Sequence, residues 1–201
     1  MPVGPTKKHQ NEIFKRLADL YSRMESEYDA LASRLGLSCA QCPDNCCTSY
    51  FQHHTYLEWA YLWKGLSTLD SEHTNMVLAR ARDNVRQAEK TLAQNQRPKL
   101  MCPLNEDGLC ILYPYRLMIC RLHGVPNQVR MPTGQIKQFP GCVKCQELTA
   151  HLDHIPMLDR TSMYIELAQL ERDYVGSRRR HLPKVDMTLS EMLVQGKPPV
   201  F

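Results

Sequence analysis

Four cysteines stand within nine residues in the stretch Cys39-Ala-Gln-Cys42-Pro-Asp-Asn-Cys46-Cys47. The two residues between Cys39 and Cys42 allow a turn tight enough to direct both sulfurs at one metal ion, as in zinc and iron–sulfur loops. Cys46 and Cys47 are adjacent, and adjacent side chains usually diverge. The two are therefore expected to bind different metal atoms, or to divide into one ligand and one packing cysteine. The stretch predicts a metal-binding loop around which the remaining elements are arranged.

Five more cysteines follow later in the chain, at Cys102, Cys110, Cys120, Cys142 and Cys145. The Asp107-Gly108 step is a turn signal that folds Cys102 back beside Cys110. The ten-residue step from Cys110 to Cys120 is too long for a metal knuckle. It suits two ligands that reach one site from the ends of a short element.

A second pair with two intervening residues is formed by Cys142 and Cys145. Its spacing equals that of Cys39 and Cys42, so the two pairs are suited to form one four-cysteine site across the fold. Alone such a pair is weak evidence, but here it stands among seven other cysteines. We therefore predict as metal ligands all nine cysteines, namely Cys39, Cys42, Cys46, Cys47, Cys102, Cys110, Cys120, Cys142 and Cys145.

The cysteine count and the apolar content narrow the class of protein. Nine is an odd number, so the cysteines cannot all pair as internal disulfides. No apolar stretch follows Lys7 and Lys8, and no apolar run approaches the roughly 20 residues that cross a bilayer. We therefore expect a cytoplasmic protein without a membrane span, whose thiols stay reduced and available to metal.

The positive charge of the chain is modest, with a formal net charge of +4. Its most basic run is Arg178-Arg179-Arg180-His181, which follows a predicted helix. Cations near the negative end of a helix dipole explain this run more simply than phosphate contacts do. Nucleic acid is therefore not an expected partner.

Helical periodicity dominates the chain outside the cysteine groups. Apolar residues recur three or four positions apart over 9–35, which predicts one long amphipathic helix. The same pattern predicts helices at about 55–66 and 70–95, and shorter ones at about 157–175 and 188–195. Spacings typical of helix caps occur at Thr55 and Glu58, at Asp70, and at Thr188 and Glu191.

The predicted fold class is mainly α, with helices framing an irregular cysteine-rich metal-binding region that includes short strands. A chain of 201 residues is long enough for one hydrophobic core. We predict a single domain over 1–201, made of the N-terminal helix 9–35, the cysteine-cluster region 36–145 and a C-terminal helical segment 146–201.

Two of these motifs resemble those of a known family. The first stretch is similar to the signature of the CxxCxxCC cysteine-cluster family, the YkgJ-like zinc- or iron-chelating proteins. The run Cys110-Ile-Leu-Tyr113-Pro-Tyr-Arg116-Leu-Met-Ile-Cys120-Arg121 resembles the second family motif. This chain departs from the pattern in having three residues between Cys42 and Cys46 where the family usually has two. The resemblance implies metal chelation by these cysteines.

The same family includes flagellin lysine methylases, whose cysteine motif is associated with an iron–sulfur centre. The relation therefore suggests iron–sulfur chemistry for this chain. No glycine-rich nucleotide loop follows a predicted strand, so the residues do not predict a methylase activity.

Thiolate ligands suit both zinc and iron–sulfur clusters. The two matched pairs favour zinc, whereas an iron–sulfur cluster accommodates scattered ligands more easily because its irons are spread over a few ångströms. We predict an iron–sulfur cluster, of the 4Fe–4S type, with zinc as the alternative.

Arg116 and Arg121 stand beside cysteines in sequence, and we predict that their N–H groups bond to sulfur and offset its negative charge. A surface ion pair is the simpler alternative for Arg121.

The predicted function is that of a metal-binding cysteine-cluster protein, whose iron–sulfur cluster serves redox or catalytic chemistry with an unidentified redox or protein partner. One alternative is a non-enzymatic protein with structural zinc sites, in which metal binding and folding are coupled. Another is a metal-handling or interaction protein that passes metal to a partner. The sequence identifies no catalytic residue and does not decide whether the protein is an enzyme.

Overall fold

The computed structural model describes residues 6–39 and 46–199, and of Cys46 it describes the backbone alone. The predicted ligand Cys42 lies outside the described residues. Helix predominates, which confirms the mainly α class. The helices are α1 Lys7–Arg34, α2 Tyr56–Leu66, α3 Ser71–Ala93, α4 Met118–Leu122, α5 Val143–Thr149, α6 Thr161–Val175 and α7 Leu189–Gln195. The strands are β1 Asn105–Glu106, β2 Leu109–Cys110, β3 Asn127–Arg130, β4 Ile136–Phe139 and β5 Leu158–Asp159.

Contacts divide the chain into two compact units. The first unit is formed by Met1–Gln10, Cys47–Leu117 and Glu171–Phe201. The second unit is formed by Asn11–Cys46 and Met118–Leu170. Each is described by itself below, and the organisation of 1–201 as a single domain stays a prediction.

The core of the first unit is organised by a tryptophan on α2. Trp59 is buried, and its indole N–H donates to the carbonyl of Met192 in α7 at 3.0 Å and to that of Gly196, directly after α7, at 2.8 Å. Trp63 donates to the same Met192 carbonyl at 3.1 Å. A buried indole N–H needs an acceptor, so α7 is held against α2 by polar bonds as well as by apolar packing.

Helix caps in the first unit agree with the sequence. The Thr188 hydroxyl accepts from the backbone N–H of Glu191, whose carboxylate accepts from the Thr188 N–H, which is a complete capping box. Asp70 caps α3 by accepting from the His73 N–H at 2.8 Å. At α2, the Thr55 hydroxyl accepts from the third residue of the helix as predicted.

A distant carboxylate completes the N-terminus of α2. Glu171 accepts from the backbone N–H of Tyr56 at 3.0 Å and from that of Leu57 at 2.8 Å. Burial raises the pKa of this carboxyl group, and the two N–H bonds act in the opposite direction. The contact joins residues more than 110 positions apart, so helix periodicity alone does not reveal it.

The second unit contains a small sheet with strand order β4-β3-β5. Strands β3 and β4 are antiparallel, with Asn127 opposite Phe139, and β3 and β5 are parallel, with Asn127 opposite Leu158. The chain leaves β5 with the Arg160 N–H donating to the Gln128 carbonyl at 3.0 Å. Because 158–159 is strand, α6 begins at Thr161, later than the predicted start at about 157.

No helix within the described ranges 6–39 and 46–199 is both long and apolar enough to span a membrane.

A buried histidine joins two segments of the first unit. His53 is 4% exposed, and its backbone N–H and carbonyl both bond to Met187, at 2.7 Å and 3.2 Å. Burial lowers the pKa of the His53 imidazole below its ordinary value of 6.5, Glu58 acts to raise it, and His54 acts to lower it. The imidazole is therefore neutral in the folded protein over a pH range in which the unfolded chain is protonated.

We expect the free energy of unfolding to fall as the pH drops below 6.5, the ordinary pKa of a histidine. The unfolded chain then binds a proton at His53 that the folded protein does not, which costs up to about 1.4 kcal/mol per pH unit. In His53→Gln this loss should disappear, as measured by urea unfolding between about pH 8 and pH 5. His73→Gln is the control, because Asp70 raises the pKa of exposed His73 and that substitution should not remove the loss at low pH. Equal pH dependence in His53→Gln and the parent protein would contradict this account.

Candidate metal centre

The third cysteine group lies at the start of a short helix. Cys142 immediately precedes α5 and Cys145 is in its first turn, so the two side chains are three positions apart and share one face. The sequence predicted this pair in an irregular region, and α5 itself was not foreseen. Cys142 is the N-cap residue of α5, with extended backbone, and Cys145 is the third residue of the helix, so the two lie at the same helix end.

The backbone that leads into Cys142 is in close contact with the backbone of Gly124. The Cys142 N–H donates to the Gly124 carbonyl at 3.0 Å. Gly141 has a φ of +86°, and a Cβ placed there would overlap the Gly124 carbonyl oxygen. Glycine at 141 thus permits both the left-handed backbone and the contact between the two segments.

The Cys145 thiol is shielded from water. Its residue is 0% exposed, and burial, with a smaller contribution from Cys142, raises its pKa to about 11. At neutral pH this thiol is protonated in metal-free protein. Binding of a metal ion at Cys145 would therefore release a proton.

The segment that carries Cys39 lies against the same part of the second unit. The Lys144 ammonium, between the two cysteines of the pair, donates to the Ser38 carbonyl at 2.7 Å. The Tyr28 hydroxyl lies 3.9 Å from the Cys39 sulfur, and the same hydroxyl packs directly against Gly124. The first and third cysteine groups are thus joined through Tyr28, Gly124 and Lys144.

Three other cysteines belong to the first unit. The Cys102 N–H donates to the Cys47 carbonyl at 2.9 Å, which brings these two residues together. Strands β1 and β2 form a hairpin in which Asn105 is opposite Cys110. Its turn residues Asp107 and Gly108 have φ values of +49° and +86°, so the predicted turn is confirmed.

The two predicted arginines occupy different units. Arg116 is in the first unit, with its guanidinium carbon 3.7 Å from the centre of the Tyr113 ring. Arg121 is in the second unit on α4, directly after Cys120, and its side chain is 3% exposed. It lies 4.4 Å over the ring of Tyr21 and 3.9 Å from a carboxylate oxygen of Glu25. Arg121 is therefore a buried cation and not a surface one, and the bonds of either arginine to sulfur stay a prediction.

Within residues 6–39 and 46–199, no three His, Cys, Asp or Glu side chains converge closely enough to hold a metal ion. The side chains of Cys42 and Cys46 are outside that description. Among the described cysteines, Cys142 and Cys145 lie together at the start of α5. Cys39 and Cys47 lie on segments that hydrogen bonds hold to other parts of their own units. Besides Cys39, Cys142 and Cys145, the second unit contains Cys42, Cys46 and, on α4, Cys120. The predicted ligation by all nine cysteines stays a prediction.

Comparisons with protein-family models, curated proteins and solved structures found no match to this chain. The similarity to the cysteine-cluster family therefore stays an expectation from the motifs. Sequence reasoning missed Gly124 and Lys144, whose importance comes from contacts with distant segments. Tyr28 lies within the predicted helix 9–35, and nothing in the sequence marks it as a site residue.

We expect Gly124→Ala to lower the free energy of unfolding by about 2–4 kcal/mol, because Gly124 has a φ of +133° and a Cβ would overlap the Tyr28 hydroxyl. Chemical denaturation of metal-free protein measures this. Gly134→Ala is the matched control, since Gly134 has a φ of +85° with no neighbour within 4 Å and should cost only the backbone strain. Adding Tyr28→Phe to Gly124→Ala should recover part of the loss. Equal losses for the two glycine variants would contradict the close contact.

In metal-free protein, we expect a thiol-alkylating reagent to modify Cys39 at least roughly tenfold faster than Cys145 at neutral pH. Cys39 is exposed, whereas Cys145 is enclosed and has a pKa raised to about 11. Peptide mass spectrometry over a time course measures both rates in one sample. Equal rates would show that Cys145 is not enclosed in solution.

Proposed function

We propose that this chain is a metal-binding protein that holds an iron–sulfur cluster in its second unit, with Cys39, Cys142 and Cys145 among the ligands. The observation that carries the proposal is the Lys144–Ser38 bond of 2.7 Å, which joins the segments bearing the two matched cysteine pairs. Cys42 follows Cys39 with the spacing of a metal knuckle and is the proposed fourth ligand. Linking the pairs before metal arrives reduces the conformational entropy that binding must overcome.

The distribution of cysteines between the units supports one principal centre. Cys46 ends a segment of the second unit, and Cys47 begins a segment of the first. This supports the expectation that the adjacent cysteines serve different metal atoms. Cys46 is then available to the second unit, and Cys47 to a smaller set with Cys102 and Cys110 in the first.

When bound, an iron–sulfur cluster supplies one-electron transfer or a Lewis-acidic iron. The chain's own residues govern its surroundings. Enclosed Cys145 keeps water from one side of the site, and the Tyr28 hydroxyl is positioned to donate to the Cys39 sulfur at 3.9 Å. Donation to a ligand sulfur stabilises the reduced cluster and raises its potential. A cytoplasmic location and an unidentified redox partner are part of this proposal.

A structural zinc site is the second candidate, supported by the equal spacing of the Cys39–Cys42 and Cys142–Cys145 pairs. Four thiolates from two such pairs are typical of a closed tetrahedral zinc site. In that case the metal would act only on folding, and its removal would destabilise the second unit.

We expect protein purified without oxygen to be brown, with a broad absorption near about 400 nm and with iron and sulfide on analysis. The double variant Cys142→Ser/Cys145→Ser should lose this absorption and the iron, and so should Cys39→Ser/Cys42→Ser. The matched control is Cys110→Ser, a cysteine of the first unit, which should keep the cluster of the second.

Two results would contradict the proposed iron–sulfur site. Colourless protein that contains zinc and no iron would replace the iron–sulfur proposal by the structural zinc site. Full iron and sulfide content in Cys142→Ser/Cys145→Ser would refute the ligand assignment.

A further inference from the structure

An arginine of the second unit is buried between aromatic residues. Arg160 is 4% exposed and stands between β5 and the first residue of α6. Its guanidinium carbon lies 4.3 Å from the centre of the Phe139 ring and 5.0 Å from that of the Tyr164 ring. Aromatic rings stabilise a cation at such distances, but they supply no hydrogen-bond acceptor for its in-plane N–H groups.

The Arg160 side chain has no hydrogen-bond acceptor and no carboxylate partner among residues 6–39 and 46–199. Its Nε is fully enclosed and lacks an acceptor there. The neighbouring carboxylate of Asp159 is engaged elsewhere, accepting from the N–H of Thr161 at 2.9 Å and from its hydroxyl at 2.5 Å. Burial lowers the pKa of Arg160, and Tyr164 is the other group that acts on it.

An isolated buried charge is costly, and proteins normally pair it or hydrogen-bond it. Glu171 of the first unit shows the usual arrangement, since two backbone N–H groups satisfy it. Arg160 departs from that pattern, and arginine cannot escape the cost by losing its proton at ordinary pH. An anion from outside the described residues would offset this charge.

The surrounding sheet face offers one more unsatisfied polar atom. Asn127 lies opposite both Phe139 and Leu158 in the sheet register, so the three side chains share a face. The Asn127 amide nitrogen donates to the carbonyls of Leu122 and Val125, while its enclosed oxygen has no donor in the described part of the chain. The face that carries Phe139 thus also holds an enclosed, unused acceptor.

We propose that Arg160 binds the carboxylate of a small-molecule ligand, with its two terminal nitrogens donating in parallel to the two carboxylate oxygens. A planar guanidinium edge matches a carboxylate in this bidentate arrangement. The Phe139 and Tyr164 rings lie over the guanidinium and favour a flat ligand group in its plane. This site does not depend on the metal centre, and neither proposal requires the other.

The test uses acetate as the probe and the full chain as isolated. Acetate should shift the Arg160 Nε–H signal in a ¹H–¹⁵N spectrum and raise the melting temperature, compared with chloride at the same ionic strength. Arg160→Lys keeps the positive charge but loses the planar guanidinium with its two parallel N–H donors. It should weaken acetate binding by about tenfold or more. Arg160→Met should abolish the melting-temperature response.

Arg130→Met is the matched control, because Arg130 is an exposed arginine of the same sheet. It should keep the full response to acetate. Chloride acting as well as acetate would overturn the carboxylate site, and so would an unchanged Arg160 Nε–H signal at saturating acetate. If Arg160→Met does not fold, Arg160→Lys decides the matter, since an unaltered acetate affinity in that variant refutes the bidentate contact.

Discussion

The close approach at Gly124 is the contact on which the second unit depends. Its α-carbon lies against the Tyr28 hydroxyl, and its carbonyl accepts from the Cys142 N–H. Each contact brings a different distant segment to the same short loop. A side chain at 124 would displace Tyr28, and a side chain at 141 would displace the Gly124 carbonyl. Two glycines thus allow the helix α1 and the start of α5 to meet at one point.

This arrangement determines what the cysteines can do. Two cysteines at the start of one helix have little freedom, and a third on a segment bonded to Lys144 has less than it would in an open loop. A site organised in this way needs less ordering when metal binds. Burial of Cys145 also means that metal competes with a tightly held proton. The chemistry proposed for the centre therefore rests on backbone packing as much as on the thiols.

The buried charged side chains differ in the groups that compensate their charge. Glu171 is enclosed but satisfied by the N-terminus of α2, so it acts as a structural cap. Arg121 is enclosed beside an aromatic ring, with Glu25 at 3.9 Å. Arg160 has rings around it and no acid within the described residues. This contrast singles out Arg160, because a satisfied buried charge needs no ligand to explain it.

The sequence by itself determined the mainly α class, the helix caps at Asp70 and Thr188, and the hairpin turn at Asp107-Gly108. These depend on interactions within a few residues, which periodicity and cap chemistry report directly. It did not reveal α5 or the three-stranded sheet, whose strands are short and whose partners are separated in sequence. Only the tertiary structure decided that Lys144 meets Ser38 across 106 positions and that Arg160 is enclosed. Such contacts follow from how the elements pack, and no local pattern encodes them.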